Sequence, residues 1–260
     1  MKNLIFTIFL TTIFINLSLT QNNLQIHGGI KFIDYKGSNI QLYYRDESPD
    51  PDEFYTNIDL ENKLLFNLGV NFNNYSKNTK LYYDLTLNGY IGNFLGIEAG
   101  ASIGYPIFLS KNKKISFLPS IMGGGGWYDK PLGTLQNNTI YIQVNNTKFK
   151  DYSNVDLSLV GFYGFIRPSL SLLIGLNKKV NLVFTGSYLI NFDINPSVKF
   201  TGNDDNNNKV SDSEEITASN IAFYTDGKSS NDSPFKLMGP EVRFGVNILL
   251  GNKGKSAKWN

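Results

Sequence analysis

Beyond residue 20 the chain alternates apolar and polar residues in segment after segment, the period-two mark of strands with one apolar face. Leu24, Ile26, Gly28, Ile30 and Phe32 alternate with Gln25, His27, Gly29 and Lys31. Seven further segments repeat the scheme, over residues 66–72, 81–88, 95–105, 115–127, 160–174, 180–191 and 241–250. Most are near the ~9–11 residues that a tilted membrane-spanning strand needs. The stretch 157–176 is apolar enough to suggest a membrane helix, but Arg167-Pro168 sits at its centre with Gly161 and Gly164 a turn earlier. A buried arginine beside a helix-breaking proline is costly in a lone helix. As a strand, Arg167 points inward and the conflict disappears.

The connections alternate in length. Those at about 34–62, 128–156 and 192–235 are long, whereas 73–79, 110–114 and 176–179 are short and Gly92-Asn93 marks a tight turn. Short turns at one rim and extended loops at the other are the habit of outer-membrane barrels. The pattern predicts an all-β fold: an eight-stranded antiparallel up-and-down transmembrane β-barrel with both termini at the short-turn rim. Hairpins within the long loops would raise the count to ten.

The first twenty residues predict export. Lys2 precedes an apolar run from Leu4 to Leu19, and Ser18 and Thr20 suit the −3 and −1 positions of a signal peptide cut before Gln21. The alternative, a retained helical anchor, is disfavoured by the short run and its polar exit at Gln21-Asn22-Asn23. Residues 21–260 then form a single barrel domain. Losing Lys2 takes the formal charge from +2 to +1, which argues against a nucleic-acid partner. An exported domain of this size with no cysteine needs an ample core or a solvent other than water. Phe32, Phe72, Tyr105, Trp127 and Phe192 stand near strand ends on the apolar faces, with Tyr75, Tyr90 and Tyr128 just beyond, as aromatic girdles do. A water-soluble barrel or sandwich also alternates, but its outer face would be charged. Here the polar alternates are mostly Gly, Ser, Thr and Asn.

Among those alternates are Asp84, Glu98, Arg167, Glu241 and Arg243. An eight-stranded barrel is filled by its side chains, so these are expected to pair, with Glu98 meeting Arg167 or Arg243. The small inward residues Gly96, Gly100, Ser102 and Gly104 leave room for Tyr82, Tyr163 and Phe165. The reading is a lumen plug; a narrow ion path is the alternative. No enzyme is expected. His27 is the sole histidine, placed inward near the short-turn rim, and no nucleophile or metal motif accompanies it. The run Gly123–Gly126 lacks the Lys-Ser/Thr of a phosphate loop and reads as a strand that bends or packs closely. Asp204, Asn206, Asn208, Asp212 and Glu215 fall at calcium-loop spacing, but Lys209 stands where that loop needs glycine. A solvated loop is the plainer reading, so neither a metal nor a cofactor is expected.

The last strand, Pro240 to Leu250, sets Gly245 among alternating apolar residues. With the preceding pattern it resembles the small eight-stranded outer-membrane barrels of the OmpA/OmpX and opacity type, often labelled porin-family proteins. The resemblance covers the mature chain as a pattern, and the final strand looks like the signal read by the barrel-assembly machinery. One departure is the ten-residue tail beyond Leu250, where family members usually end on an aromatic residue. The resemblance implies a bacterial outer-membrane location, lipid around the barrel, and a non-enzymatic role in which surface loops serve adhesion, partner binding or envelope integrity. A narrow porin-like channel for small solutes is the alternative. No surface partner is named by the pattern.

Overall fold

Every regular element formed by the described residues is a strand, and every ladder is antiparallel. The structure is a computed structural model that describes residues 22–33, 40–47, 49, 51–58, 64–76, 78–136, 141–216, 220–225, 227–230 and 237–250. Residues 1–20, which the sequence reads as a signal peptide, and the tail 251–260 lie outside them.

Eight strands coincide with the alternating segments: β1 (Asn22–Phe32), β4 (Leu64–Ser76), β5 (Leu81–Gly92), β6 (Leu95–Gly104), β8 (Ile115–Gln136), β11 (Asn154–Gly175), β12 (Val180–Asn203) and β16 (Gly239–Leu249). Each pairs with the next, and β16 pairs back to β1, so the ladder forms a ring. A row of paired residues leads from Phe162 through Trp127, Ile97, Gly89, Leu68, Gly28, Phe244 and Phe184. It returns to β11 at Leu172, ten residues from its start. An even stagger keeps inward residues inward all the way round. With eight strands it implies a tilt of roughly 40°, within the range of β-barrels.

The strand count nevertheless exceeds eight. Eight more lie off the ring: β2 (Ile40–Arg45), β3 (Glu53–Ile58), β7 (Ile107–Phe108), β9 (Ile142–Val144), β10 (Thr147–Phe149), β13 (Lys209–Glu215), β14 (Ile221–Thr225) and β15 (Lys228–Ser230). All but β7 come from segments expected to be loops. The expectation that 34–62, 128–156 and 192–235 are long loops is therefore corrected: their described residues include strands. β8, β11 and β12 run for 22, 22 and 24 residues, about twice the length of β1, and rise beyond the other ring strands. β13 adds to β12, and β3–β2–β14–β15 form a second sheet facing this extension.

These pieces form a fold because their apolar alternates meet. Leu157, Leu159, Val198 and Phe200 on the extended sheet pack with Ile40, Leu42 and Tyr44 of β2 and with Ile221 and Phe223 of β14, all nearly inaccessible. The Tyr44 and Phe200 rings lie 4.6 Å apart, and Tyr44 Oη donates to the Gln143 carbonyl at 2.7 Å, tying in the β9–β10 hairpin. A bulge at Leu132 precedes Gly133, whose φ of 125° suits glycine.

The ring and its extension present opposite polarity. In the ring Ile26, Leu68, Leu87, Ile97, Ile121, Leu170, Phe184 and Val242, one per strand, are 45–66% exposed on the outer wall. The inner wall carries Gln25, His27, Asn67, Asn88, Glu98, Arg167 and Arg243, all buried. Above Val160 the relation reverses: Asp156 and Ser158 face out while Leu157 and Leu159 face in. The same strands thus have an apolar exterior below and a polar exterior above.

Candidate functional site

The inner wall of the ring gathers its charges into one network. Arg167 projects from mid-β11 and is fully buried. Its Nη2 donates to Glu98 Oε1 and, at 2.9 Å, to Tyr90 Oη, while its Nε lies 3.4 Å from Glu241 Oε2. Arg243 Nε stands 3.9 Å from the other Glu241 oxygen. Glu98 also accepts from Asn88 and Tyr90 at 2.7 Å each and from Tyr163 at 3.2 Å. Asn67 donates to Glu241, and His27 Nε2 meets Asn88 Oδ1 at 2.7 Å. Buried charges persist only when paired and hydrogen-bonded; here each carboxylate meets both kinds of partner.

Of the five residues singled out from the sequence, the structure brings Glu98, Arg167, Glu241 and Arg243 together. Asp84 stands apart. It accepts from Thr86 at 2.7 Å and Asn71 at 3.2 Å, and with Arg243 it lines a cavity of about 20 Å³ below the network. That is room for about one water. Lys31 was missed. It is 1% exposed, its Nζ sits 4.9 Å from the centre of the Tyr90 ring, and it interacts with Glu98 and Glu241. Its signal was available, since it shares the polar parity of Gln25 and His27. Across the whole inner wall, Lys31, Arg167 and Arg243 balance Asp84, Glu98 and Glu241 in formal charge.

Glycine makes the space. A Cβ on Gly124 would come within 2.7 Å of Phe165 Cζ, and one on Gly126 within 2.6 Å of Tyr163 Oη. The run Gly123–Gly126 is thus a seat for two rings. Tyr90, Met122 and Phe165 touch the network, and with Phe94 and Tyr128 they belong to the same buried cluster as the upper core. The lumen has an ionic layer closed by an apolar one.

The aromatic candidates divide. Phe32, Phe72, Tyr105 and Phe192 are 47–55% exposed on the outer wall, and Trp127 is partly exposed in the row of Phe162. Tyr90 and Tyr128, expected beside the girdle, are instead buried, at 1% and 2%. Tyr90 pairs in register with Asn67 and Gly96, and Tyr128 with Gly96 and Gly161, so both occupy inward rows.

The calcium-loop reading does not survive. Asp204, Asn206 and Asn208 form a tight turn in which Asp204 Oδ1 accepts the amides of Asn206 and Asn208 at 2.9 and 2.8 Å. Asp212 and Glu215 belong to β13, where Asp212 accepts from Thr147 at 2.8 Å. The seven residues of strand from Lys209 to Glu215 extend roughly 20 Å, which carries Glu215 too far from the Asp204 turn to share one ion with it. Those turn bonds hold the Asp204 carboxyl below its usual range.

On the same strand, burial pushes the Glu214 carboxyl above its usual 4.5, helped by Glu47 and Asp212 and opposed by a bond from Asn220. A folded-state value above the unfolded one means that the charged form opposes folding at neutral pH. The opposition fades as pH falls through the raised value and is gone below about 4.5. Glu214→Gln is therefore expected to melt higher than wild type at pH 7.5, with the gap closing by pH 4, as read by near-ultraviolet circular dichroism. A variant that melts lower at pH 7.5 would mean that the Asn220 bond dominates.

Two surfaces of the upper part remain. A shallow groove of about 580 Å³ on the outer wall mixes Lys199 and Lys209 with Asp129 and Asp156. The outer face of β3–β2–β14 carries Tyr55, Tyr43 and Tyr224 beside Gln41, Asn57, Arg45 and Glu53. Neither signal was read from the sequence, because both segments were taken as loops.

No protein-family model matches the chain, and no curated protein matches it. Among solved structures it is similar to the transport unit of the autotransporter AIDA-I from Escherichia coli. The TM-score is 0.18 and the identity 8%, over 89% of this chain and 90% of that one. A likeness that low carries no argument about fold or role.

Proposed function

We propose that the chain is an outer-membrane β-barrel protein that holds a small β-domain at the cell surface for partner binding, without enzymatic activity. The observation that carries this reading is the reversal of polarity along β8, β11 and β12. A ring with apolar side chains outside and a charged, hydrogen-bonded interior suits hydrocarbon. An extension with polar residues outside and an apolar core suits water. In this reading the eight ring strands form the up-and-down transmembrane barrel of the OmpA/OmpX and opacity type. The short turns face the periplasm and the second sheet faces outward. Residues 1–20 direct export, lipid surrounds the outer wall, and the assembly machinery reads the final strand.

A solute channel is the weaker alternative, since the ionic layer and the apolar layer above it both occupy the lumen. Purified, folded protein is expected to run faster unboiled than boiled on an SDS gel and to give no stable single-channel steps in a planar bilayer. Absence of the gel shift would remove the barrel anchor. Reproducible conductance steps would favour the channel.

A further inference from the structure

The outer face of the second sheet carries chemistry for which the barrel has no use. Tyr55, Tyr43 and Tyr224, one each from β3, β2 and β14, form a diagonal file across it. Tyr43 and Tyr55 are direct cross-strand partners with ring centres 5.1 Å apart, and Tyr224 meets Tyr43 edge-on at 6.4 Å. Beside the file, Gln41 Nε2 donates to Asn57 Oδ1 at 2.8 Å, which leaves the Gln41 carbonyl and the Asn57 amide nitrogen to bond outward. The Tyr43 hydroxyl donates to Glu53 at 3.0 Å and is held in place by it. Arg45 opposes Glu53 in the ladder, so the face is formally neutral.

Folding does not require these rings to be exposed. The opposite face of the same strands supplies Leu42, Tyr44, Phe54 and Phe223 to the core, whereas Tyr55 is 58% exposed. Among the described residues above the apolar belt, the large apolar side chains left exposed are Tyr55 and Tyr152, with no large aliphatic one beside them. A protein-docking patch normally has a fully buried apolar centre. Aromatic faces bordered by planar amides and a carboxylate instead match a pyranose ring, with its C–H faces and its rim of hydroxyls. The spacing of Tyr43 and Tyr55 is close to the rise of one sugar along an extended β-1,4-linked chain.

We propose that this face binds a neutral, extended glycan, with one sugar stacked on the exposed Tyr55 ring, its neighbour against Tyr43, Tyr224 buttressing Tyr43 edge-on, and the sugar hydroxyls bonded by Gln41, Asn57 and Glu53. The proposal rests on the membrane-anchor reading only for placing the sheet outside the cell; the binding itself does not depend on it. The test uses the full chain in detergent micelles, its fold verified by the gel shift. It is titrated calorimetrically with cellohexaose and chitohexaose, with a heparin hexasaccharide as the charged control.

At least one neutral hexasaccharide is expected to bind. Tyr55→Ala is expected to weaken it by roughly tenfold, as loss of a stacked ring should. Tyr55→Phe retains binding because the stacking face survives, and Tyr152→Ala leaves it unchanged. Gel-shifted protein that binds neither neutral sugar, or heparin alone, overturns the glycan proposal and leaves the anchor standing. So does a Tyr55→Ala variant that is folded and binds as wild type, or a protein partner captured on this face without glycan binding. Glycan binding by protein that needs no detergent supports the site and overturns the anchor instead.

Discussion

Replacing Arg167 with methionine is expected to lower folding stability by about 3–5 kcal/mol, the usual consequence of removing one partner from a buried ion pair. The side chain is fully buried, and both Glu98 and Glu241 lose a cation that nothing nearby replaces. Lys31 and Arg243 remain, but they then face three carboxylates. Urea titration of the micelle-embedded protein, followed by the fraction that still shows the gel shift, reads the change. The double variant with Glu98→Gln is expected to recover part of the loss, because it removes one of the carboxylates left unpaired. If Arg167→Met unfolds within about 0.5 kcal/mol of wild type, the interior is wet enough to screen its charges, and the plug fails.

The second large effect is on the outer wall. Leu68→Lys and Leu170→Lys place a cation where the side chains are 66% and 52% exposed. In a hydrocarbon surround each is expected to destabilise by about 2–4 kcal/mol near the bilayer midplane. Thr201→Lys and Asn57→Lys, on the upper polar surface, should stay within about 0.5 kcal/mol, as surface changes in water do. All four positions lie on β-strands, so strand propensity differs little between them and the contrast isolates the solvent. Four changes of equal, small size would mean that the ring wall also faces water.

Much of the ring was legible in the sequence because its signal is redundant. Each strand repeats the same parity, and the inward set of Glu98, Arg167, Glu241 and Arg243 shares one phase on three strands. The upper part was hidden for a physical reason. The strands of its second sheet are short, and their apolar partners include segments far away in the chain: Tyr44 finds Phe200, and Ile40 pairs with β14. Alternation was present at Ile40, Leu42 and Tyr44 but spans only six residues, within a stretch rich in charge. On β11 the apolar parity changes between Leu159 and Val160, and that change marks the boundary between two solvents. Read as one continuous apolar strand, it conceals the extension. On β12 the register shift opposite Val160 and Phe162 moves Val198 and Phe200 onto the parity opposite to Leu189, which hides the continuity further. Tyr90 and Tyr128 were misplaced because tyrosine suits a membrane interface and a polar interior equally well. Only the register tells them apart.

The absence of cysteine from all 260 residues makes a direct test of the two-solvent account simple. Single cysteines introduced at Leu170 and at Thr201 are exposed in whole cells to a membrane-impermeant maleimide, then to a lipid-soluble one. The account predicts that Thr201→Cys reacts with the first reagent and that Leu170→Cys is spared by it but reacts with the second. Rapid labelling of Leu170→Cys by the impermeant reagent, in folded protein recovered without detergent, would contradict it.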